Sequence, residues 1–327
     1  MEKRYRFSVV IPIYNKADVL DRAINSVLNQ TFTDYEIILI NDGSIDNSES
    51  ICLKYAQNEN ISYIKQENKG VSVARNQGII NSRATLITFL DPDDEWYSDH
   101  LEILNRVFEE NHERLCLYST CYDIRVFDGT IVDVKKETYS KIFKDNPSAE
   151  WLLFDNPFAI GNTFKYPYIH TNSIMIPRQI FHKCGLFTVG CKRSQDTDMW
   201  YRVGLKYPFV LINSTTTLYH REDSTETKKT KMNYAWPFLK TADDFIDTNP
   251  DSFLLDGLIN FIDNTRISMS RHLFMEGRRQ EANQMLSMIK MPKRVWSRYL
   301  STKLIMVLPY GFINAVYRFK NRNYFGR

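Results

Sequence analysis

Short apolar runs and longer amphipathic segments alternate through the first hundred residues. Runs rich in β-branched residues occupy 7–13, 36–40, 61–65 and 85–90. Between them, 17–28, 44–55 and 71–80 carry helical spacing; in the first, Val19, Leu20, Ala23, Ile24, Val27 and Leu28 fall on one stripe. Strands and helices in this rhythm predict βαβ units with right-handed crossovers and a parallel sheet. Ligands of such sheets bind outside the carboxyl ends of the strands.

The rhythm changes near residue 114. Segments 115–123 and 124–127 alternate, Asp128-Gly129 marks a hairpin turn, and 130–134 supplies the return strand. Residues 135–170 are loop-rich and aromatic (Trp151, Phe154, Phe158, Phe164, Tyr166, Tyr168), which suits either an ordinary core or a platform for sugar rings. A strand at 173–176 precedes a helix start at Pro177. A further helix opens at Ser194 with Met199, Trp200, Val203 and Leu205 on its apolar face, and a strand follows at 211–219. From 227 to 290 the pattern is helical, including 253–262 and 281–289, with candidate breaks at Asp256-Gly257 and Gly277.

At 327 residues, with 43% hydrophobic and 25% charged residues, the chain is long enough for about two domains and a substantial core. The net charge of +3 conceals an asymmetry. Residues 291–327 hold eight basic residues and no acidic one, leaving 34 basic against 39 acidic residues before them, a net charge of −5. The same tail holds eight aromatics, a composition that suits either a helix at an anionic membrane surface or one packed on the body with a solvated basic face. Nucleic acid is not needed to explain it. The five cysteines contain no CxxC pair, which reads as a reducing compartment. The opening MEKRYRFSVVIPIYNK reads as a strand entering a turn rather than a signal peptide, and the apolar stretch 304–316 is too short to span a bilayer.

The loops after the strands carry the chemistry. Neither GxGxxG nor GxxxxGK[ST] follows a strand, so both common glycine cradles for phosphate are missing. Asp91, Asp93 and Asp94 instead crowd the end of the fourth strand. Three carboxylates in four residues are costly without a cation, and Mg²⁺ or Mn²⁺ is held by one or two carboxylates plus substrate phosphates. A helix N-cap needs only one of them.

In order along the chain, FSVVIPIYNK, ILINDGSIDNS, QENKGVSVARNQGI, ITFLDPDD, SQDTDMWYRV and LYHREDS resemble family 2 glycosyltransferases of the inverting, bacterial surface-polysaccharide type. The resemblance covers residues 6 to about 225 and implies a GT-A fold: an α/β, Rossmann-like, mostly parallel sheet flanked by helices. Residues 1–114 would form the nucleotide-sugar half and 115–226 the acceptor and catalytic-base half of one domain, with 227–327 a helical C-terminal extension. It further implies a nucleotide-sugar donor, most often UDP-linked. Pro12 and Tyr14 would frame the base, Asp42 would accept from the uracil imide, and Arg75 would sit near the base and Asp42. Asp93 would be the direct Mg²⁺ or Mn²⁺ ligand, Asp91 would lie beside it near ribose or metal, and His220 near the diphosphate or metal. Asp196 falls at the catalytic base. The family's usual Glu before that base is Gln195 here, and Asp198 is the fallback.

Residue by residue, plainer roles stand beside these: a turn for Asp42, a surface ion pair for Arg75, a helix cap for Asp196, a packed histidine for His220. The expected activity is transfer of a sugar to a hydroxyl of a glycan or lipid-linked oligosaccharide, in the cytoplasm or peripherally on the inner face of the membrane. The alternatives are a sugar nucleotidyltransferase and a catalytically degenerate nucleotide-sugar or glycan-binding module.

Overall fold

A computed structural model of the chain describes residues 4–191, 194–223 and 237–307. The first half runs β1 (Phe7–Ile13), α1 (Ala17–Leu28), β2 (Tyr35–Asp42), α2 (Ser48–Tyr55), β3 (Ile61–Gln66), α3 (Val71–Asn81), β4 (Leu86–Phe89), β5 (Glu95–Trp96) and α4 (His100–Glu110). There follow β6 (Leu117–Arg125), β7 (Ile131–Asp133), the short α5 (Ser140–Ile142), β8 (Trp151–Phe154), β9 (Ile174–Pro177), α6 (Arg178–Cys184), α7 (Gln195–Gly204) and β10 (Phe209–His220). The helices α8 (Pro237–Thr248), α9 (Leu255–Met275), α10 (Arg279–Ser287) and α11 (Trp296–Val307) complete the described chain.

The strands form one sheet in the order β3-β2-β1-β4-β9-β6-β10-β5, with β7 beside β6 and β8 beside β10. β1 to β4 pair in parallel, β9 runs antiparallel to both β4 and β6, and β6 pairs parallel with β10. The wedge strand β9 thereby reverses direction twice, so β6 and β10 point the same way as β1–β4 and bring their carboxyl ends to the same edge. The hairpin predicted at Asp128-Gly129 is present as the antiparallel β6–β7 pair.

Alternate residues of β1 face opposite layers, as strand geometry requires. Phe7, Val9, Ile11 and Ile13 pack with Leu20, Ala23, Ile24 and Val27 of α1 and Leu101, Leu104 and Val107 of α4. Each such fully buried side chain contributes about 1.5–3 kcal/mol. On the other face α3 lies against Ile38, Ile40 and Val10, and Gly78 permits the close approach: a Cβ there would meet Val10 Cγ1 at 2.2 Å.

α2 begins at Ser48, four residues later than the hydrophobic pattern predicts. The polar residues ahead of it are used as turn and cap: the Ser44 amide donates to Asn41 Oδ1 and the Ser48 amide to Asp46 Oδ1. In the aromatic stretch, Tyr139 and Tyr168 are buried, and the Tyr139 hydroxyl donates to the carbonyls of Thr120 and Tyr168 at 2.8 Å each.

The chain divides into two compact units, one of residues 1–157 with 164–241 and one of 158–163 with 242–327. Within the second, Asn162 Nδ2 donates to Thr265 Oγ1 at 2.7 Å, Arg266 pairs with Asp243 at 2.5 Å, and Asp263 accepts from the amides of Lys290 and Met291. Asp256-Gly257 opens α9 rather than breaking a helix, and Gly277, at φ +82°, terminates it. α11 packs on α9 through Thr302, whose hydroxyl accepts from Arg271 Nε at 2.6 Å, and through the buried Met306. Residues 308–327 of the basic, aromatic tail lie outside the described residues.

Candidate active site

The carboxyl edge of the sheet gathers the loops after β1, β2, β4 and β10. Pro12 lies within β1 opposite Ile40 and is buried; Tyr14 follows it, half-buried. Asn15 takes the left-handed conformation (φ 51°) that asparagine tolerates, and the next amides turn to the neighbouring loop. The Lys16 amide donates to Ser48 Oγ and the Ala17 amide to Asp46 Oδ2, at 3.0 Å each. The start of α1 is thus capped by residues from the loop after β2 rather than by its own side chains.

Asp42, at the end of β2, is 3% exposed. Its carboxylate accepts from Gln66 Nε2 (2.6 Å) and from the amides of Lys69 (2.9 Å) and Gly70 (2.8 Å), which fixes the loop entering α3. Arg75, 3% exposed on α3, donates through Nη2 to Asp91 Oδ1 at 2.6 Å and lies 5.5 Å from the Phe187 ring centroid. Its Nε and Nη1 are buried and have no partner among the described residues.

The aspartates after β4 divide into two kinds. Asp91 and Asp93 each face a cation: Arg75 holds Asp91, and Lys16 Nζ lies 2.6 Å from Asp93 Oδ2. Burial, reinforced by Asp91, raises the Asp93 carboxyl above the usual carboxylate range despite Lys16. Arg22 of α1 reaches the Asp93 carbonyl and pairs with Asp223 at 2.7 Å. Asp94 is internal, accepting from the His220 amide at 2.7 Å and from Asn172 Nδ2; burial first, then Asp93 and Asp91, push its carboxyl well up. Its place is therefore structural.

His220 ends β10, 1% exposed, with Nε2 at 2.8 Å from Glu95 and Nδ1 at 3.0 Å from Glu222. Burial lowers its pKa, but the two carboxylates outweigh that and hold it above its ordinary value. Ligand atoms of His220, Glu222 and Asp223 lie within 4.8 Å of one another, though each histidine nitrogen already faces a carboxylate.

Asp196 stands in the first turn of α7, half-buried. Its Oδ1 accepts from the Thr197 amide at 2.7 Å and its Oδ2 from Thr171 Oγ1 at 3.2 Å. The fallback Asp198 does not share that setting. It is buried, accepts from Thr188 Oγ1 (2.7 Å) and pairs with Arg202 (2.9 Å), one helical turn on. An aspartate already committed to an internal ion pair is a helix staple, not a free base. Gln195 Oε1 is buried and has no partner among the described residues.

Several residues of the site carry no sequence motif. His170 lies between Tyr122 and Tyr219, tilted against both, with ring centroids 4.9 and 4.7 Å away. Burial lowers its pKa, against the opposing pull of Asp91, Asp196 and Asp93. Thr171 and Asn172 follow it, and Lys16 and Arg22 reach in from α1. The polar run His-Thr-Asn-Ser at the mouth of an apolar strand was the available signal.

Asp91 and Asp93 offer hard oxygen donors two residues apart at a strand end, the type of ligand a divalent cation takes. The donor set fits Mg²⁺ or Mn²⁺.

A largely parallel sheet whose carboxyl edge carries this acidic loop is the architecture of a GT-A glycosyltransferase. The family described as Glycosyl transferase family 2 matches residues 8–166. An uncharacterized glycosyltransferase of Rickettsia typhi is 30% identical over 230 residues, covering 69% of this chain and 67% of the relative. The minor teichoic acid biosynthesis protein GgaB of Bacillus subtilis is 44% identical over 115 residues, 34% of this chain and 13% of that protein. Among solved structures, Staphylococcus aureus TarS 1–349 in complex with UDP-GlcNAc is similar with a TM-score of 0.69 at 16% identity, over 96% of this chain and 91% of the other. That likeness speaks to the fold. The chain belongs to glycosyl transferase family 2. It spans 67% of the first Rickettsia relative but only 57% and 31% of the next two.

Proposed function

We propose that the protein is a divalent-metal-dependent, inverting glycosyltransferase. It would move a sugar from a nucleotide diphosphate, UDP in the simplest case, to a hydroxyl of a cell-surface glycan or a lipid-linked precursor. The observation that carries this reading is that two consecutive residues reach both groups: the Asn172 carboxamide bonds the acidic loop at Asp91 and Asp94, and the Thr171 hydroxyl bonds Asp196. A candidate leaving-group site and a candidate base therefore border the same space. The teichoic-acid relative and the UDP-GlcNAc complex of TarS support the class of donor and acceptor.

Mg²⁺ or Mn²⁺, held by Asp93 and Asp91, would supply Lewis-acid stabilisation of the departing diphosphate. The chain's own residues do the rest. Asp196 takes the proton of the acceptor hydroxyl as its oxygen bonds to the anomeric carbon. The bond from that carbon to the diphosphate oxygen breaks, its electron pair leaves with the diphosphate, and configuration inverts once. Arg75 holds Asp91 in place, and Lys16 and Arg22 add positive charge beside Asp93.

No helix among the described residues is long and apolar enough to cross a membrane. We place the protein peripherally on the cytoplasmic face of a membrane, through α11 and the tail. The test of function is UDP release and sugar transfer over a panel of UDP-sugars with Mn²⁺, Mg²⁺ or chelator. Turnover should require metal. Asp196→Asn should bind UDP like wild type and lose transfer by about 10²–10⁴-fold. Full turnover in that variant excludes Asp196 as base; binding without any turnover by the wild type favours a degenerate binding module.

A further inference from the structure

β9 is inserted antiparallel beside β4, with Leu86 opposite Pro177, Ile87 opposite Ile176 and Thr88 opposite Met175. Continued three residues past the Thr88–Met175 pair, that register brings Asn172 opposite Asp91. The contact is made: the Asp91 amide donates to Asn172 Oδ1 at 2.8 Å. The other end of the same carboxamide, Nδ2, donates to Asp94 Oδ2, and the Asn172 carbonyl accepts from Trp96 Nε1 at 2.8 Å. One buried side chain therefore spans the acidic loop from its first aspartate to its last. The adjacent residue turns the other way. Thr171, 2% exposed, donates its hydroxyl to Asp196 Oδ2 at 3.2 Å.

The turn that carries the pair is itself held. The Ser173 amide and hydroxyl both donate to the His170 carbonyl, at 2.9 and 2.8 Å, and Ser173 Oγ lies 3.1 Å from Ser119 Oγ. Neither Thr171 nor Asn172 can shift without breaking buried hydrogen bonds, each worth about 1–3 kcal/mol when a partner is left unsatisfied. Successive Cα atoms are about 3.8 Å apart, so a two-residue bridge leaves little play between the groups it holds.

We propose that Thr171 and Asn172 are positioning residues that set the acidic loop and Asp196 in register with each other. The inference rests on the function proposed above. An in-line displacement needs base and leaving group on opposite sides of one carbon, and a misplacement of about 1 Å costs about 10²-fold in rate. Thr171 aims the carboxylate of Asp196; Asn172 holds the loop from which Asp91 and Asp93 project. Each acts through an aspartate rather than on the sugar or the diphosphate.

The test uses the full chain with two variants and two independent readouts. Thr171→Val is nearly isosteric and removes only the hydroxyl. It should lower kcat about tenfold at unchanged donor KM and unchanged UDP affinity, and Thr171→Ser should restore most of the loss. Asn172→Ser should weaken Mn²⁺ binding about tenfold, read by electron paramagnetic resonance titration with UDP present, without turnover. A Thr171→Val enzyme with wild-type kcat overturns the Thr171 arm. So does a loss that Ser does not rescue, which would indicate packing alone. Unchanged Mn²⁺ affinity in Asn172→Ser overturns the Asn172 arm. If the wild type turns over no donor, the function reading fails and the Thr171 arm falls with it, while the Mn²⁺ titration still decides the Asn172 arm.

Discussion

The ammonium of Lys16 lies 2.6 Å from Oδ2 of Asp93, with both side chains more than four-fifths buried. Lys16 thus occupies one lone-pair direction of the carboxylate proposed to bind metal, and a divalent cation has to compete with it. A partly buried pair of this kind is worth about 1 kcal/mol. Lys16→Met should therefore tighten Mn²⁺ binding in the absence of nucleotide by about fivefold, measured by Mn²⁺ titration. Weaker or unchanged binding would mean that Lys16 does not compete and instead helps to hold the acidic loop in its binding shape.

Asp196 and Asp198 are two residues apart on α7 and differ in what they touch. Asp198 is enclosed with Arg202 and Thr188, whereas Asp196 is half-buried at the helix start. Removing one partner of a buried ion pair costs about 3–5 kcal/mol. Asp198→Asn should lose about that much stability in urea unfolding, with the folded fraction still turning over donor. Asp196→Asn should show the opposite, near-native unfolding and no transfer. If Asp198→Asn is as stable as wild type and inactive, the roles of the two aspartates are exchanged.

His100 gives the fold a predictable acid sensitivity. Its ring is fully buried, its centroid 4.2 Å from that of Trp96, with Nδ1 at 2.6 Å from Thr216 Oγ1, and burial pushes its pKa down to about 3. The unfolded chain takes up a proton at His100 below about pH 6.5 and the folded chain does not, so stability falls as pH falls through that range. The loss from this group should be about 2 kcal/mol between pH 7 and pH 5. His100→Gln keeps a partner for Thr216 and removes the titration, so its unfolding free energy should decline less over the same interval. Parallel pH profiles for the two proteins would rule out His100 as the source.

What was legible beforehand follows from how local each signal is. β1 and α1 begin and end where the hydrophobic pattern puts them, because an all-apolar strand and a one-sided helix advertise their burial in consecutive residues. The acidic loop was visible for the same reason. The partners were not. Arg75 pairs with Asp91, and Asp42 is held by a loop 24 to 28 residues away. The Thr171–Asn172 bridge exists only because β9 is threaded antiparallel between β4 and β6, a pairing set by tertiary packing. Lys16, just before α1, and Arg22, within it, reach the site from a segment where helix periodicity reports burial but not which carboxylate waits opposite.

α11 presents a face that its packing on α9 does not use. Trp296, Leu300, Leu304 and Val307 are 52%, 37%, 69% and 76% exposed, and their spacing of four, four and three residues puts them on one side of the helix. Thr302 and Met306 are buried against α9. Lys293 precedes the helix, Lys303 lies on it, and no acidic residue occurs from 291 to 327. An apolar stripe in a basic segment suits the interface of an anionic bilayer. Deleting everything after Lys290 would also strip α9 of its cover, so the cleaner variant is the pair Trp296→Ser and Leu304→Ser, which leaves Thr302 and Met306 in place. Wild type should cosediment with vesicles containing anionic lipid and bind neutral vesicles weakly, with binding falling as salt rises. The double variant should lose most of that binding, keep its unfolding midpoint and still bind UDP. Vesicle binding equal to wild type would remove the α11 stripe as the anchor and leave residues 308–327 as the segment to vary next.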